Sequence, residues 1–324
     1  MKSLLSVFAL ASVSASAASL HESRFRPSIE ALRPALGSPG SVDEAAKQLA
    51  DLPGARIAAF NLQALGRLYT ERDKEIFKPM TSAAKGLEDV LGGVDKWSTI
   101  LKRARERGAP AGEVRRLEGK VQDAQKDVAK RLRKDGWAGG AEPLLRRFER
   151  QLAKFDGMSP AEDYAYMVER LRHSLGKVVD EEFDVSKLEE GNGLHEFRRR
   201  LRWFLIEART LEGLLSFRPG TSCPVPALRG LLRDPVATSK YGDLPKPRPG
   251  ARTCAISRCL FLELVDRVEK VGALKDEVEA DVNIGGESDA VPAKYLAQAR
   301  RLYADFVKRG GGPALAQELS ACVE

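Results

Sequence analysis

The segment Leu194-His195-Glu196-Phe197-Arg198-Arg199-Arg200-Leu201-Arg202-Trp203-Phe204-Leu205-Ile206-Glu207-Ala208-Arg209 decides how the chain is read. At about 100° per residue, Leu194, Phe197, Leu201, Phe204, Leu205 and Ala208 gather into one apolar stripe that Leu211 and Leu215 continue, so the segment is a helix with that face toward a core. His195, Arg198, Arg202 and Arg209 fall together in an adjacent arc about 60° wide on the same geometry. Arg199 borders the arc and Arg200 points elsewhere. Trp203, about 110° from the arc's centre, is expected to be a contact between helices. Four basic groups so aligned repel one another, a cost met by an anion among them, with solvent and nearby glutamates as the alternative screens.

Outward from this segment the same three- and four-residue spacing recurs almost everywhere, and no sustained period-two alternation of β-branched residues interrupts it. The expected fold class is all-α, as two helical bundles packed side by side. Helices are expected near 42–50, 54–78 (ended by Pro79), 80–90, 95–107, 111–135, 142–155, 160–181, 194–217, 224–232, 254–271, 274–281, 291–308 and 313–321. The Gly-rich stretch at 136–140 divides an N-terminal half, 18–140, from a C-terminal half, 141–324. Each half carries an Arg-bearing helix and, later, a small-residue turn ending in Asp: Leu91-Gly92-Gly93-Val94-Asp95 and Val271-Gly272-Ala273-Leu274-Lys275-Asp276. The pairing suggests an internal duplication. The run Pro245-Lys246-Pro247-Arg248-Pro249-Gly250 is expected to be an extended surface loop.

Composition sets the class. With 324 residues, 43% hydrophobic and 31% charged, the chain is globular, neither disordered nor a multi-span membrane protein. Lys2, the apolar stretch Leu4 to Val13 and Ala15-Ser16-Ala17 have the order of a secretory signal, so residues 1–17 are expected to be cleaved and the product exported to a periplasmic or secreted location. The apolar stretch is about half of the roughly 20 residues that span a bilayer, and no membrane span is expected after cleavage. Losing residues 1–17 removes only Lys2 from a formal charge of +7, and the remaining +6 favours anionic partners.

Cys223, Cys254, Cys259 and Cys322 are an even set in a chain expected to be exported, so two disulfides are expected, with four buried thiols as the alternative. If Cys254 and Cys259 share the helix proposed from 254, their Cα atoms lie about 8 to 9 Å apart, too far to bridge. Cys223 with Cys254 and Cys259 with Cys322 is the favoured pairing; the swapped arrangement is nearly as good.

Two other helices carry cations on one face: Arg170, His173 and Lys177, and in the first half Arg56, Arg67, Lys74 and Lys78. Together with the first arc they could converge on one groove, or they could be solvated faces. No two of His21, His173 and His195 lie within four residues, so no metal-binding helix motif is present, and no Gly-rich phosphate loop or Gly-x-Ser-x-Gly elbow is found. Catalysis and a cofactor are not expected. His21, close to the expected cleavage site, is expected outside the packed fold, and Asp180, Glu181, Glu182 and Asp184 as a solvated edge.

The segment from Leu194 to Arg202 resembles the His-x-x-Arg signature of CHAD domains, the conserved-histidine α-helical family, through His195, Arg198 and Arg202. The two small-residue turns resemble the Leu-Gly-x-x-x-Asp element of those domains. The first half departs from the pattern: with Arg56 at the motif arginine, Pro53 takes the histidine position, and Phe60, Asn61 and Gln63 stand where basic residues are expected. The resemblance implies two similar helical bundles and binding of inorganic polyphosphate in a basic groove. Another polyanion is an alternative ligand. Nucleic acid fits less well, because no aromatic platform alternates with the arginines. The rival reading is a structural or partner-binding helical protein of the envelope in which the same residues form internal ion pairs.

Overall fold

Apolar residues three and four apart fold as helices, and among the described residues the chain is all-α apart from one two-stranded sheet. The computed structural model describes residues 19–37, 41–138, 142–187, 191–220, 222–247, 250–285 and 291–323. Its elements are α1 (Leu20–Leu36), α2 (Val42–Asp51), α3 (Ala55–Tyr69), α4 (Lys74–Glu106), α5 (Ala111–Asp135), α6 (Leu144–Leu152), α7 (Pro160–Val179), α8 (Leu194–Thr210), β1 (Leu215–Phe217), β2 (Cys254–Ile256), α9 (Arg258–Gly285), α10 (Ala293–Arg309) and α11 (Gly311–Ser320), with 3-10 turns at Pro226–Arg233 and Pro235–Thr238. The expected signal segment, residues 1–17, lies outside the described residues. Among those described, no helix is long and apolar enough to cross a membrane.

Helix α1 was not anticipated. Ser19 caps it in a reciprocal box with Glu22, and Phe25, Ile29, Leu32 and Leu36 form its buried stripe despite Pro27 and Pro34. His21, expected outside the fold, is buried, with its Nε2 3.1 Å from the Leu152 carbonyl. Arg24 is buried too and forks onto Asp163 at 2.7 and 2.8 Å while donating to the Tyr69 hydroxyl. This pair joins α1 to α7 and satisfies charges that burial would otherwise penalise.

The largest departures concern helix continuity. Pro79 does not end a helix: it sits in the second turn of α4, where one ladder hydrogen bond is lost and the helix continues. Tyr69 instead ends α3, so the expected helix 54–78 divides and Lys74 begins α4 rather than extending the row of Arg56 and Arg67. Both small-residue turns prove to be helix interior, Leu91 to Asp95 within α4 and Val271 to Asp276 within α9. The expected helix 194–217 stops at Thr210, because Glu212 and Gly213 take φ of 36° and 79°, and a Cβ on Gly213 would meet the Pro247 Cα at 2.3 Å. Beyond that turn β1 pairs in parallel with β2. Three residues per strand are too few to show a period in sequence.

Cys254 therefore sits on β2 and Cys259 in the first turn of α9, not on a common helix. The favoured pairing is corrected: Cys223 bonds Cys259 and Cys254 bonds Cys322, with Cα separations of 5.9 and 5.5 Å. Helix α4 packs on both α3 and α5, α8 packs on α7 and α9, and α3 meets α8 while α4 meets α9. Among the described residues the main core runs contiguously from Phe25 to Leu319 through both halves, with smaller buried clusters beside it. Although α6 follows the Gly-rich stretch, it packs against α1.

Candidate functional site

The seam where α3 meets α8 is built from small and aromatic residues. Ala64, Phe60 and Trp203 form a buried cluster of their own, with the two rings edge to face at 5.6 Å. Trp203 is thus the inter-helix contact its position on the wheel predicts. The Arg202 guanidinium lies 4.4 Å from the Phe60 ring centroid and that of Arg67 lies 4.6 Å from Trp203. Guanidinium groups lie over both rings, which are themselves buried.

Two arginines reach across the helix that packs beside them, each over a glycine. A Cβ on Gly92 of α4 would stand 2.7 Å from Arg56 Nη2, and one on Gly272 of α9 would stand 2.8 Å from Arg198 Nε. The glycines of the two related motifs therefore make room for a crossing side chain, and the arrangement of α3 with α4 recurs in α8 with α9. Equivalent arginines nevertheless meet different surroundings. Arg56 donates to Glu88 at 2.8 Å and to Asp95 at 3.0 Å. Arg198 has Asp276 in its field, but its Nε has no hydrogen-bond partner.

Around this crossing lies a cleft of about 890 Å³. Its cations are Arg56, Arg67, Lys85, Lys96, Arg198, Arg199, Arg200, Arg202 and Lys275, with His195 at the same wall; its anions are Glu88, Asp89, Asp95, Glu196, Asp276 and Glu279. Most of these charges offset one another. Arg199 and Arg200 both hold Glu196, and Arg200 also reaches Glu181 at 3.2 Å. Lys275 pairs with Glu279. Arg198 and Arg202 are different: among the described residues neither lies within ion-pair distance of a carboxylate, and the Nε of each is buried without a partner. Burial pushes Arg202 down to about 10, helped by the charges of Arg198 and Arg56. Arg198 moves the same way, through burial first, with Asp276 opposing and Arg56 adding to the fall.

Of the residues singled out in sequence, His195, Arg198, Arg202, Arg56 and Arg67 are brought together in this cleft. Arg209 lies further along α8, donates to the Asp243 carbonyl at 2.7 Å and lines a different cavity. Arg170, His173 and Lys177 gather behind Trp203 around a space of about 40 Å³ shared with Arg67 and Glu207. There Arg170 is paired with Glu71, and burial raises the pKa of Glu207. Lys74 is exposed at the start of α4 and lines none of these spaces. The three rows thus do not converge on one groove, because α8 separates the Arg170 group from Arg198. Lys85, Lys96 and Lys275 were missed: their convergence needs α4 and α9 to run unbroken through the glycines.

Among the described residues, no three His, Cys, Asp or Glu side chains are grouped to hold a metal ion. Comparison with protein-family models, with curated proteins and with solved structures returned no match.

Proposed function

We propose that the cleft between α3, α4, α8 and α9 binds a linear phosphate polyanion, inorganic polyphosphate first, and that the protein acts as an exported binding protein rather than an enzyme. One observation carries the reading: Arg198 and Arg202 line the same cleft half-buried, each with a buried Nε that has no hydrogen-bond partner and, among the described residues, no carboxylate within ion-pair distance, while most other cations around them are neutralised. A structural role is served by pairs such as Arg56 with Glu88; it gives no reason to keep two unpaired guanidinium groups at a steep electrostatic cost. A phosphate chain supplies closely spaced oxygens to both forks at once. Lys85 and Lys96 line the same cleft, where they are paired with Asp89 and Glu279. The two disulfides suit an oxidising compartment and so fit export.

The test is binding of the oxidised protein to long-chain polyphosphate across a salt series, with single-stranded DNA as competitor and the Arg198→Ala/Arg202→Ala double variant as control. Preference for polyphosphate that collapses in the variant supports the proposal. No binding, or weak binding to both polymers that ignores the substitutions, leaves the structural envelope protein as the better account.

A further inference from the structure

A second cavity, of about 690 Å³, shares a wall with the cleft through Arg56, Phe60, Arg198 and Arg202. Its remaining lining differs in chemistry. Leu52, Ile57, Leu91, Val94, Leu205 and Ile206, from the α2–α3 turn, α3, α4 and α8, give it mostly aliphatic walls, and Arg209 and Lys240 add positive charge. Asp95 on this wall is engaged by Arg56, and Asp51 is exposed. Ile57 and Tyr241, two large apolar residues left in solvent at 43% and 39% exposure, both belong to it. Exposed apolar side chains bordering an apolar hollow mark its entrance. The volume lies in the range of small-molecule sites, and such sites pair apolar walls with a few convergent polar groups.

We propose that this cavity binds a single-tailed anionic amphiphile, with a carboxylate or phosphate monoester head at Arg198 and Arg202 and an aliphatic tail along Leu52, Leu91, Leu205 and Ile206. The guanidinium fork accepts either head group in bidentate fashion. The tail removes apolar wall from water, which neither inorganic phosphate nor a polymer of phosphate can do. Head and polyphosphate use the same arginines from two sides, so the two ligands exclude each other.

The experiment is calorimetric titration of the oxidised full chain with dodecyl phosphate and dodecanoate below their micelle concentrations, against dodecyl maltoside and inorganic phosphate. Long-chain polyphosphate is titrated in parallel. At least one of the two anionic amphiphiles should bind tenfold or more tightly than both the maltoside and phosphate, and which of them does so identifies the head group. Ala50→Trp, which fills the cavity from a partly buried position, and Ile57→Asp, at the exposed entrance, should each weaken that binding tenfold or more while leaving polyphosphate affinity within about twofold. Helical circular dichroism verifies the fold of each variant. Equal binding of the neutral maltoside, binding of neither anion, or indifference to both substitutions overturns the proposal. Amphiphile binding without polyphosphate binding upholds it and removes the polymer reading instead.

Discussion

Replacing Arg202 by Met should make the ligand-free protein more stable. In the folded chain Arg202 is half-buried, with its Nε out of contact with water, and burial together with the charges of Arg198 and Arg56 pushes its pKa down to about 10. Held charged at neutral pH, it therefore costs the native state on the order of 3 kcal/mol relative to the unfolded chain. Because a base is depressed here, the cost is fully present below about pH 10 and is relieved only as pH rises above it. Methionine keeps an unbranched apolar stem against Phe60 and loses the cation–π contact, worth roughly 1 kcal/mol. The net gain is about 2 kcal/mol, or a rise in Tm of about 3 °C for a chain of this size. Thermal unfolding followed by circular dichroism at pH 7 and low salt reads it directly. Polyphosphate should raise the Tm of the parent protein and leave that of the variant unchanged, since only a ligand that meets Arg202 offsets the repulsion. A variant that melts below the parent would refute the reasoning, because Arg202 would then be held by favourable contacts rather than kept in spite of their absence.

Gly272→Ala should leave Tm unchanged or slightly raised, since alanine is the better helix former by about 1 kcal/mol, yet weaken polyphosphate binding about tenfold by displacing Arg198; equal binding by both proteins would show that the crossing geometry is immaterial. Polyphosphate affinity should fall on the order of 50-fold between about 50 and 200 mM salt if three or four phosphates are contacted, by analogy with counterion release from nucleic acid. A flat salt series would exclude the electrostatic mechanism. Removing the Cys254–Cys322 bond by paired serine substitutions should cost about 4 kcal/mol by loop closure over its 68-residue separation, read as a lower denaturant midpoint. Glu263 is fully buried against Gly311, and burial, opposed by Arg267 and Arg309, raises its carboxyl to about 7. Its unfolded value is near 4.5, so it destabilises the native state progressively as pH rises from about 4.5 to 7. Glu263→Gln should raise Tm at pH 8 by a few degrees and leave it little changed at pH 5; melts at the two pH values that shift equally would refute the assignment.

The periodicity of the sequence determined, by itself, that the chain is helical, which face of α8 turns to the core, and that His195, Arg198 and Arg202 share an edge. Those properties follow from 3.6 residues per turn and from nothing farther away than the next turn of the same helix. Tertiary structure alone decided the rest. Gly92 and Gly272 read as helix breaks, because glycine lowers helix propensity and only a crossing arginine explains its place inside α4 and α9. Pro27 and Pro34 hid α1, which its packing on α3 and the Arg24–Asp163 pair hold in place. The cysteine count announced two disulfides, but which sulfurs meet depended on a three-residue strand ending between Cys254 and Cys259. Arg56 and Arg198 occupy matching positions in their helices, yet only folding gave one of them Glu88 and Asp95 and left the other with an unbonded Nε. Glu88 and Asp95 lie more than thirty residues from Arg56 in sequence, and a local pattern carries no information about partners at that separation.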